Sequence, residues 1–207
     1  MYHSYWSQKG SARGISLVET VVIAALFTLL MLAITSSIIS FYRVNDYSIA
    51  QAYQVSNARQ GVEQLIRDMR EMTYADDGTF PLVDMGSTSI SFYSDLDRDD
   101  SVEYIEYTLS STTLYKNIYS ASGSPPIYNM VTPESTHTIS EYVQNNLQSI
   151  PIFVYYDEAG LPAHATTTAT DIRYIQVSLI INIDPIRDPG QYMLRSSASL
   201  RNLKNIQ

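Results

Sequence analysis

A long uncharged run near the N-terminus restricts this chain most strongly. The residues from Val21 to Phe41 carry no charge. As a helix that rises about 1.5 Å per residue, this run spans the roughly 30 Å of a bilayer's hydrocarbon core. Glu19 stands just before the run, and a carboxylate inside a membrane costs about 2.5–3.5 kcal/mol and usually has a partner. The sequence therefore predicts a membrane-spanning helix whose early carboxylate lies either beside a partner charge or at the membrane interface.

The composition narrows the classes of partner and site. The 207 residues include 13 Lys and Arg and 21 Asp and Glu, for a formal net charge of −8. Neutralising phosphates requires an excess of Lys and Arg, so no direct nucleic-acid partner is expected. The chain has no cysteine, which excludes disulfides, thiolate metal sites and a cysteine nucleophile. No motif in the sequence requires a cofactor.

The N-terminal segment differs from a secretory signal peptide. A signal peptide has a basic start, an apolar stretch of about 7–15 residues and a small-residue cleavage site after it. Here the apolar run is longer, no clear A-x-A site ends it, and the basic residues Lys9 and Arg13 precede it. The positive-inside rule keeps these two residues in the cytoplasm and sends the chain beyond residue 43 outward. A plain N-terminal membrane anchor is therefore one interpretation.

The residues around Gly14 match a more specific pattern. The segment KGSARGISLVE, residues 9–19, resembles the prepilin processing motif of type IV pilins and type II secretion pseudopilins. That motif consists of a short basic leader, a glycine, an apolar residue and a glutamate at the fifth position of the mature chain. Lys9 and Arg13 correspond to the leader charges, and Glu19 corresponds to the glutamate.

The resemblance implies a processing site and an assembly role. A prepilin peptidase would cut between Gly14 and Ile15, and the new amine would be methylated. The family usually has Phe where this chain has Ile15, and Thr where it has Ser16. In the family the carboxylate at the position of Glu19 meets the amine of a neighbouring subunit, which offsets the cost of a charge in lipid. The implied partners are the peptidase, other pilins or pseudopilins, an assembly platform protein and the lipid bilayer.

A helical pattern continues beyond the membrane segment. Spacings of three and four separate six apolar residues, which predicts one apolar face on an amphipathic helix. These residues are Val55, Ala58, Val62, Leu65, Met69 and Met72. One helix is expected from about Ile15 to Tyr74, with Gly78 and Pro81 after its end. A two-chain coiled coil is the alternative use of this stripe, which is short for one.

After residue 81 the pattern changes to the two-residue period of β-strands. Six segments alternate or are rich in β-branched residues, with turn residues between them. They are residues 87–94, 101–109, 112–119, 149–156, 172–183 and 192–201. Residues 132–148 are ambiguous, and ISEYVQNNL (139–147) is a candidate short helix. The predicted fold is α+β: a long N-terminal helix, transmembrane in its first half and amphipathic in its second, packed on an antiparallel β-sheet head.

The later segments resemble the larger J-type and W-type minor pilins and pseudopilins. The resemblance lies in the hairpin ISFYSDLDRDDSVEYIEYTL, the segment TLYKNI and the ending SLRNL. It implies a pilin-like head and a division of the chain into four parts. These are a leader (1–14), a transmembrane or filament-core helix (15–42), an amphipathic helix that continues into the head (43–75) and a β-rich extracytoplasmic head (76–207).

The acidic turn of that hairpin is a candidate metal site. Six oxygen-bearing residues occupy positions 1, 3, 5, 7, 9 and 12 of an EF-hand-like loop, and Ca²⁺ takes about six to eight oxygens. They are Asp95, Asp97, Asp99, Ser101, Glu103 and Glu106. Asp100 stands where an EF-hand has glycine, and strand geometry would point Glu103 and Glu106 to opposite faces. The alternatives are a Ca²⁺ site and a solvated turn with repelling carboxylates.

Catalysis is not expected. His3, His137 and His164 are scattered, and the sequence has no nucleophile–base spacing, phosphate loop or His-based metal motif. The expectation is a minor pilin or pseudopilin, a structural subunit of a type IV pilus or type II secretion-like filament, acting in initiation or at the tip. The alternative is a membrane-anchored extracytoplasmic binding module that does not polymerise. A filament subunit loses residues 1–14, whereas a plain anchor keeps them.

Overall fold

A computed structural model describes residues 14–99, 101–164, 167–186 and 190–200. The chain divides into two compact units, with the boundary between Tyr47 and Ser48. A single helix, α1 at Leu17–Arg70, begins in the first unit and ends in the second. The strands all belong to the second unit, which we call the head.

The first part of α1 is apolar and unburied. Every residue from Gly14 to Asp46 is exposed, although most of them are hydrophobic. Among the described residues, α1 is the one helix that is long and apolar enough to cross a membrane. A helix that is apolar all round needs lipid or other helices around it, so this part of α1 suits a single membrane span.

The expected long helix is confirmed, and its end differs from the expectation. The helix stops at Arg70 and does not reach Tyr74. Met72 instead forms an isolated antiparallel bridge with Ser94. The chain therefore leaves the helix early because its next residues pair with the sheet.

The amphipathic part of α1 packs on the head as predicted. The stripe residues Ala58, Val62, Leu65, Met69 and Met72 are all buried, and Val55 is partly buried against the same core. That core also contains Phe92, Ile105 and Leu114 from the strands. Because the chain's own strands cover the stripe, it is not available to a second helix, and the coiled-coil alternative is wrong.

Ten strands occur in the described part of the chain. They are β1 (Leu82–Met85), β2 (Ser89–Ser94), β3 (Glu103–Ser110), β4 (Thr113–Tyr119), β5 (Ala121–Ser122), β6 (Ile127–Tyr128), β7 (Ser135–Ser140), β8 (Phe153–Tyr156), β9 (Tyr174–Ile181) and β10 (Tyr192–Ser199). One sheet has the order β1-β2-β3-β4-β7, a second has the order β10-β9-β8, and β5 pairs with β6. All pairings are antiparallel, which confirms the predicted α+β class.

The six predicted strand segments each contain a strand, although Arg201, at the end of the last one, lies outside the described residues. The candidate helix over residues 139–147 is wrong. Ile139 and Ser140 complete β7, which pairs with β4. Val143 is then fully buried and bridges Ile181. The segment after β7 lies along β9 because its backbone and side chains bind there. A helical pattern in the local sequence does not reveal these distant contacts.

Gly61 sets how closely α1 approaches β7. A Cβ atom at residue 61 would collide with the carbonyl oxygen of Ile139 and would lie 2.7 Å from its Cγ2. Glycine inside a helix costs about 1 kcal/mol relative to alanine. The close contact between helix and strand accounts for a residue that the helix alone disfavours.

An asparagine side chain takes the place of a strand beside β9. The four residues of β8 pair with only the first half of β9. Beyond them lies Asn145, which is fully buried. Its Oδ1 accepts a hydrogen bond from the Ile180 N–H (2.9 Å), and its Nδ2 donates to the carbonyl oxygens of Ser178 (2.8 Å) and Ile150 (3.3 Å). The amide thus presents a donor and an acceptor, as a peptide group would.

Two glutamines continue this arrangement past the end of β9. Gln51 of α1 donates to the Ile181 carbonyl (3.2 Å) and accepts from the Ile183 N–H (3.0 Å). Gln144 donates through Nε2 to the Asn182 carbonyl (2.9 Å). Buried backbone groups without partners cost free energy, so these amides stabilise the open edge of the second sheet.

We expect Asn145→Asp to lower the free energy of unfolding by about 3 kcal/mol, because a carboxylate oxygen would replace the donor that faces the buried Ser178 carbonyl. Urea denaturation of the purified chain measures the change. The matched control is Asn146→Asp at the exposed neighbouring position, which should change stability by less than about 0.5 kcal/mol. Equal losses in the two variants would contradict the role of the Asn145 amide.

Candidate functional site

The predicted processing site lies directly before α1. Gly14 and Ile15 are exposed and non-helical, and a Cβ atom at residue 14 would meet nothing within 4 Å. The predicted leader charges, Lys9 and Arg13, lie outside the described residues. The peptide bond between Gly14 and Ile15 is therefore exposed at the start of the apolar helix.

Glu19 lies in the first turn of α1 and is exposed. Acidic groups are favoured there by the helix dipole, by about 0.3–1 kcal/mol at exposed positions. The Oγ of Ser16 accepts a hydrogen bond from the Glu19 backbone N–H at 3.2 Å. The Ser-x-x-Glu spacing is the signal of a capping box, and it identifies Ser16 as a helix cap that the processing motif alone does not predict.

Two hydroxyl groups in this part of α1 are satisfied by the helix itself. Thr20 donates to the Leu17 carbonyl (2.7 Å), and Thr28 donates to the Ala24 carbonyl (2.8 Å). The carboxylate of Glu19 accepts no hydrogen bond from the described residues. It is therefore an exposed, strongly polar group at the start of the apolar surface.

Three aspartates come together in the turn between β2 and β3. Asp95, Asp97 and Asp99 each place a carboxylate oxygen within 4.8 Å of the others. Asp95 accepts a hydrogen bond from the Arg98 N–H (2.6 Å), and Asp99 accepts from the Ser101 N–H (2.9 Å). These local bonds shape the turn and hold the carboxylates on one side of it.

The two glutamates of the predicted loop lie apart from each other. Glu103 is buried, and its Oε2 accepts from the Leu96 N–H (2.9 Å) at the base of the turn. The Oε2 of Glu106 accepts from Asn117 (3.0 Å) and Tyr119 (3.3 Å) on β4. Because β3 pairs continuously with β2 from Glu103 onward, the two side chains point to opposite faces.

The turn thus assembles three of the six predicted metal ligands. The bend occurs at Arg98, whose φ is 62°, and Asp100 lies outside the described residues. Three clustered carboxylates either bind a hard cation such as Ca²⁺ or repel one another. Melting a fragment that begins at residue 43, in EDTA and in millimolar calcium, separates the two: a rise in Tm that Asp95→Ala/Asp97→Ala abolishes indicates a bound cation, and an unchanged Tm indicates a solvated turn.

Contacts from several segments hold the acidic turn in place. Arg98 pairs with Glu71 just after α1 (3.3 Å). Asp76 accepts from the Val102 N–H (3.2 Å), and the Tyr128 hydroxyl donates to the Val102 carbonyl (2.8 Å). Burial raises the pKa of Tyr128 to about 12, so this hydroxyl remains a donor across the physiological range. The sequence predicted the turn itself but none of these contacts.

A buried ionic contact joins α1 to β4. Asp68 and Lys116 are 5% and 2% exposed, and Nζ of Lys116 lies 2.5 Å from Oδ2 of Asp68. The hydroxyl of Tyr107, on β3, donates to the same oxygen at 2.6 Å. Burial, followed by the nearby charge of Asp68, raises the pKa of Tyr107 well above its ordinary value. The sequence contained one sign of this contact: Asp68 directly precedes Met69 in the apolar stripe.

We expect Glu103→Gln to raise the Tm of the head at pH 7 and to lose this advantage in acid. Burial first, and the charges of Asp97 and Asp95 in addition, raise the pKa of Glu103 above 4.5. The folded state therefore binds this proton more tightly, and the stability that protonation gives is present below pH 4.5 and lost as the pH rises through the folded-state value. Glutamine keeps the acceptor for Leu96 but carries no charge.

Thermal melts of both proteins between pH 4 and pH 8 test this expectation. The control is Glu141→Gln at an exposed position, which should shift Tm little and equally at both ends of the range. A Glu103→Gln Tm that runs parallel to the wild type at every pH would show that burial does not control this carboxyl.

Comparison with known proteins adds no relative to these observations: no protein-family model matches the chain, and no curated protein matches it.

Proposed function

We propose that the chain is a minor pilin or pseudopilin, a structural subunit of a type IV pilus or type II secretion-like filament that acts in initiation or at the tip. One observation carries the proposal. An exposed Gly14–Ile15 bond directly precedes an exposed apolar helix, and a carboxylate, Glu19, lies in the first turn of that helix. This combination resembles the prepilin motif at the position where processing would occur.

The physical role of Glu19 follows from its surroundings. A charge near the apolar part of a helix is costly in lipid without a partner. Cleavage after Gly14 would create a positive amine four residues before Glu19, and the amine of a neighbouring subunit would supply the opposite charge. Pairing between subunits would then favour one axial position of each helix relative to the next.

The proposal includes a location and a set of partners. The N-terminus would lie in the cytoplasm and the head outside the cytoplasmic membrane. The chain would later leave the membrane and be incorporated into a periplasmic or cell-surface filament. The partners would be the prepilin peptidase, an assembly platform protein and other pilins or pseudopilins. Catalysis is not part of the proposal.

A second candidate is a membrane-anchored extracytoplasmic binding module that does not polymerise. The capping bond between Ser16 and the Glu19 N–H favours it, because an acidic residue in the first helical turn has a local function that requires no neighbouring subunit. The two candidates differ in whether the leader is removed and in whether the carboxylate is needed for assembly.

We expect the mature chain to begin at Ile15 with a methylated amine. Intact-mass analysis and N-terminal peptide mapping of the membrane fraction, from a strain with an active prepilin peptidase, measure this. Gly14→Arg should block the cut. The control is Gly14→Ala, which keeps a small residue at this position and should still be cut. Retention of residues 1–14 by the unaltered chain would favour the plain anchor.

We expect Glu19→Val to insert into the membrane at least as well as the wild type and to assemble poorly, because the substitution removes both a costly charge and its pairing with a neighbour. The measurement is the fraction of the chain recovered in sheared filaments, relative to the total in membranes. Thr20→Val is the matched control in the same helical turn, and Ser16→Ala tests capping separately. If Ser16→Ala lowers recovery as much as Glu19→Val does, helix capping and not subunit pairing explains the glutamate.

A further inference from the structure

We propose that Lys116 and Asp68 condense to form an intramolecular isopeptide bond that joins β4 to the last turns of α1. The proposal is independent of the filament assignment. The amine nitrogen is 2.5 Å from Oδ2 of Asp68, and the carboxyl carbon that it would attack lies one covalent bond beyond that oxygen. Both residues are on regular, packed elements, so the two groups are held together without a search through conformations.

The two reacting groups are shielded from bulk water. Lys116 and Asp68 are almost completely buried, and Leu65 and Met69, on either side of Asp68 in α1, are fully buried. The reaction requires that one proton first pass from the ammonium to the carboxylate. That transfer produces a free amine, the nucleophile, beside a carboxylic acid.

Tyr107 is placed to move the second proton. Its hydroxyl donates to Oδ2 at 2.6 Å, and its ring stacks on Phe92 with centroids 6.1 Å apart, which fixes the phenol. As the amine attacks the carboxyl carbon, Oδ2 carries the proton it first received. Tyr107 then gives its proton to the departing oxygen and recovers one from the nitrogen. The C–N bond forms and the C–Oδ2 bond breaks. The water that leaves carries one proton from the ammonium and one from Tyr107, and a second proton from the nitrogen restores the Tyr107 hydroxyl.

The site also offers a route for the water to leave. A cavity of about 510 Å³ includes Asp68 and Lys116 in its lining, with Arg67, Glu71 and Leu96 around them. The bond would close a loop between residues that are 48 positions apart in the chain. In a chain without cysteine, such a bond would be a covalent cross-link within the head that does not depend on redox conditions.

A tryptic map of the full chain, purified in detergent and denatured before digestion, tests the proposal. An ionic pair dissociates on denaturation, and trypsin then cuts after Lys116 to give residues 99–116 and 117–173. The isopeptide bond blocks that cut, so residues 99–173 should appear as one species joined to residues 68–70 and about 18 Da lighter than the two together. Fragment ions should place the branch at Lys116 and Asp68.

Three variants complete the design. Lys116→Arg keeps the charge but should give no branched species. Asp68→Asn should still form the bond, with loss of ammonia (about 17 Da) in place of water. Tyr107→Phe should slow bond formation in pulse-labelled chain while its circular dichroism stays native.

Each result has a defined meaning. Complete cleavage after Lys116 in the wild-type chain overturns the bond and leaves an ionic pair. A loss of water without a branch to Asp68 also overturns it. Unchanged kinetics in a folded Tyr107→Phe variant overturns the role of Tyr107 as the proton relay.

Discussion

The head depends on the contact between one face of α1 and the strands beneath it. The stripe from Ala58 to Met72 contributes a row of buried side chains, and burial of apolar surface is the main favourable contribution to folding. Gly61 lets the helix backbone approach Ile139 more closely than any other residue would allow. The separation of helix and strand, and with it the packing of the residues between them, is therefore set at a single position.

Asp68 interrupts that apolar face with a charge. A buried carboxylate is strongly destabilising unless it is paired and hydrogen-bonded. Here Lys116 from β4 and Tyr107 from β3 reach the same oxygen. The helix α1 and the β3–β4 hairpin must therefore align before this charge is satisfied, which penalises any other register of the helix on the sheet. The contact therefore favours one arrangement of the helix on the hairpin.

The sequence predicted what local periodicity encodes. The stripe of α1 has the helical period, and the hairpin strands β2, β3 and β4 have the period of two, so both could be found from neighbouring residues. The close approach of Asp95, Asp97 and Asp99 followed from their alternate spacing in one turn. For Gly14, Ile15 and Glu19 the sequence pattern is the basis of the assignment, and their processing and assembly roles stay predictions.

What the sequence did not reveal depends on distant partners. The residues of β7 form a strand because they pair with β4. The segment after β7 has a helical pattern in the local sequence, but its contacts with β9 determine its conformation. Nothing near Asn145 shows that its amide binds β9, more than 30 positions away. Asp68 adjoins the apolar stripe of α1, but its partner Lys116 is 48 positions away and cannot be found from neighbouring residues.

The amide-covered edge of β9 has a consequence for heads that stand close together. A sheet edge with free N–H and C=O groups is a template on which a neighbouring molecule can add a strand, and that addition can repeat from one molecule to the next. The side chains of Asn145, Gln144 and Gln51, together with the backbone of residues 142–144, already occupy such an edge. Crowded copies would find no template there, so self-association through this edge is blocked within the fold of each molecule.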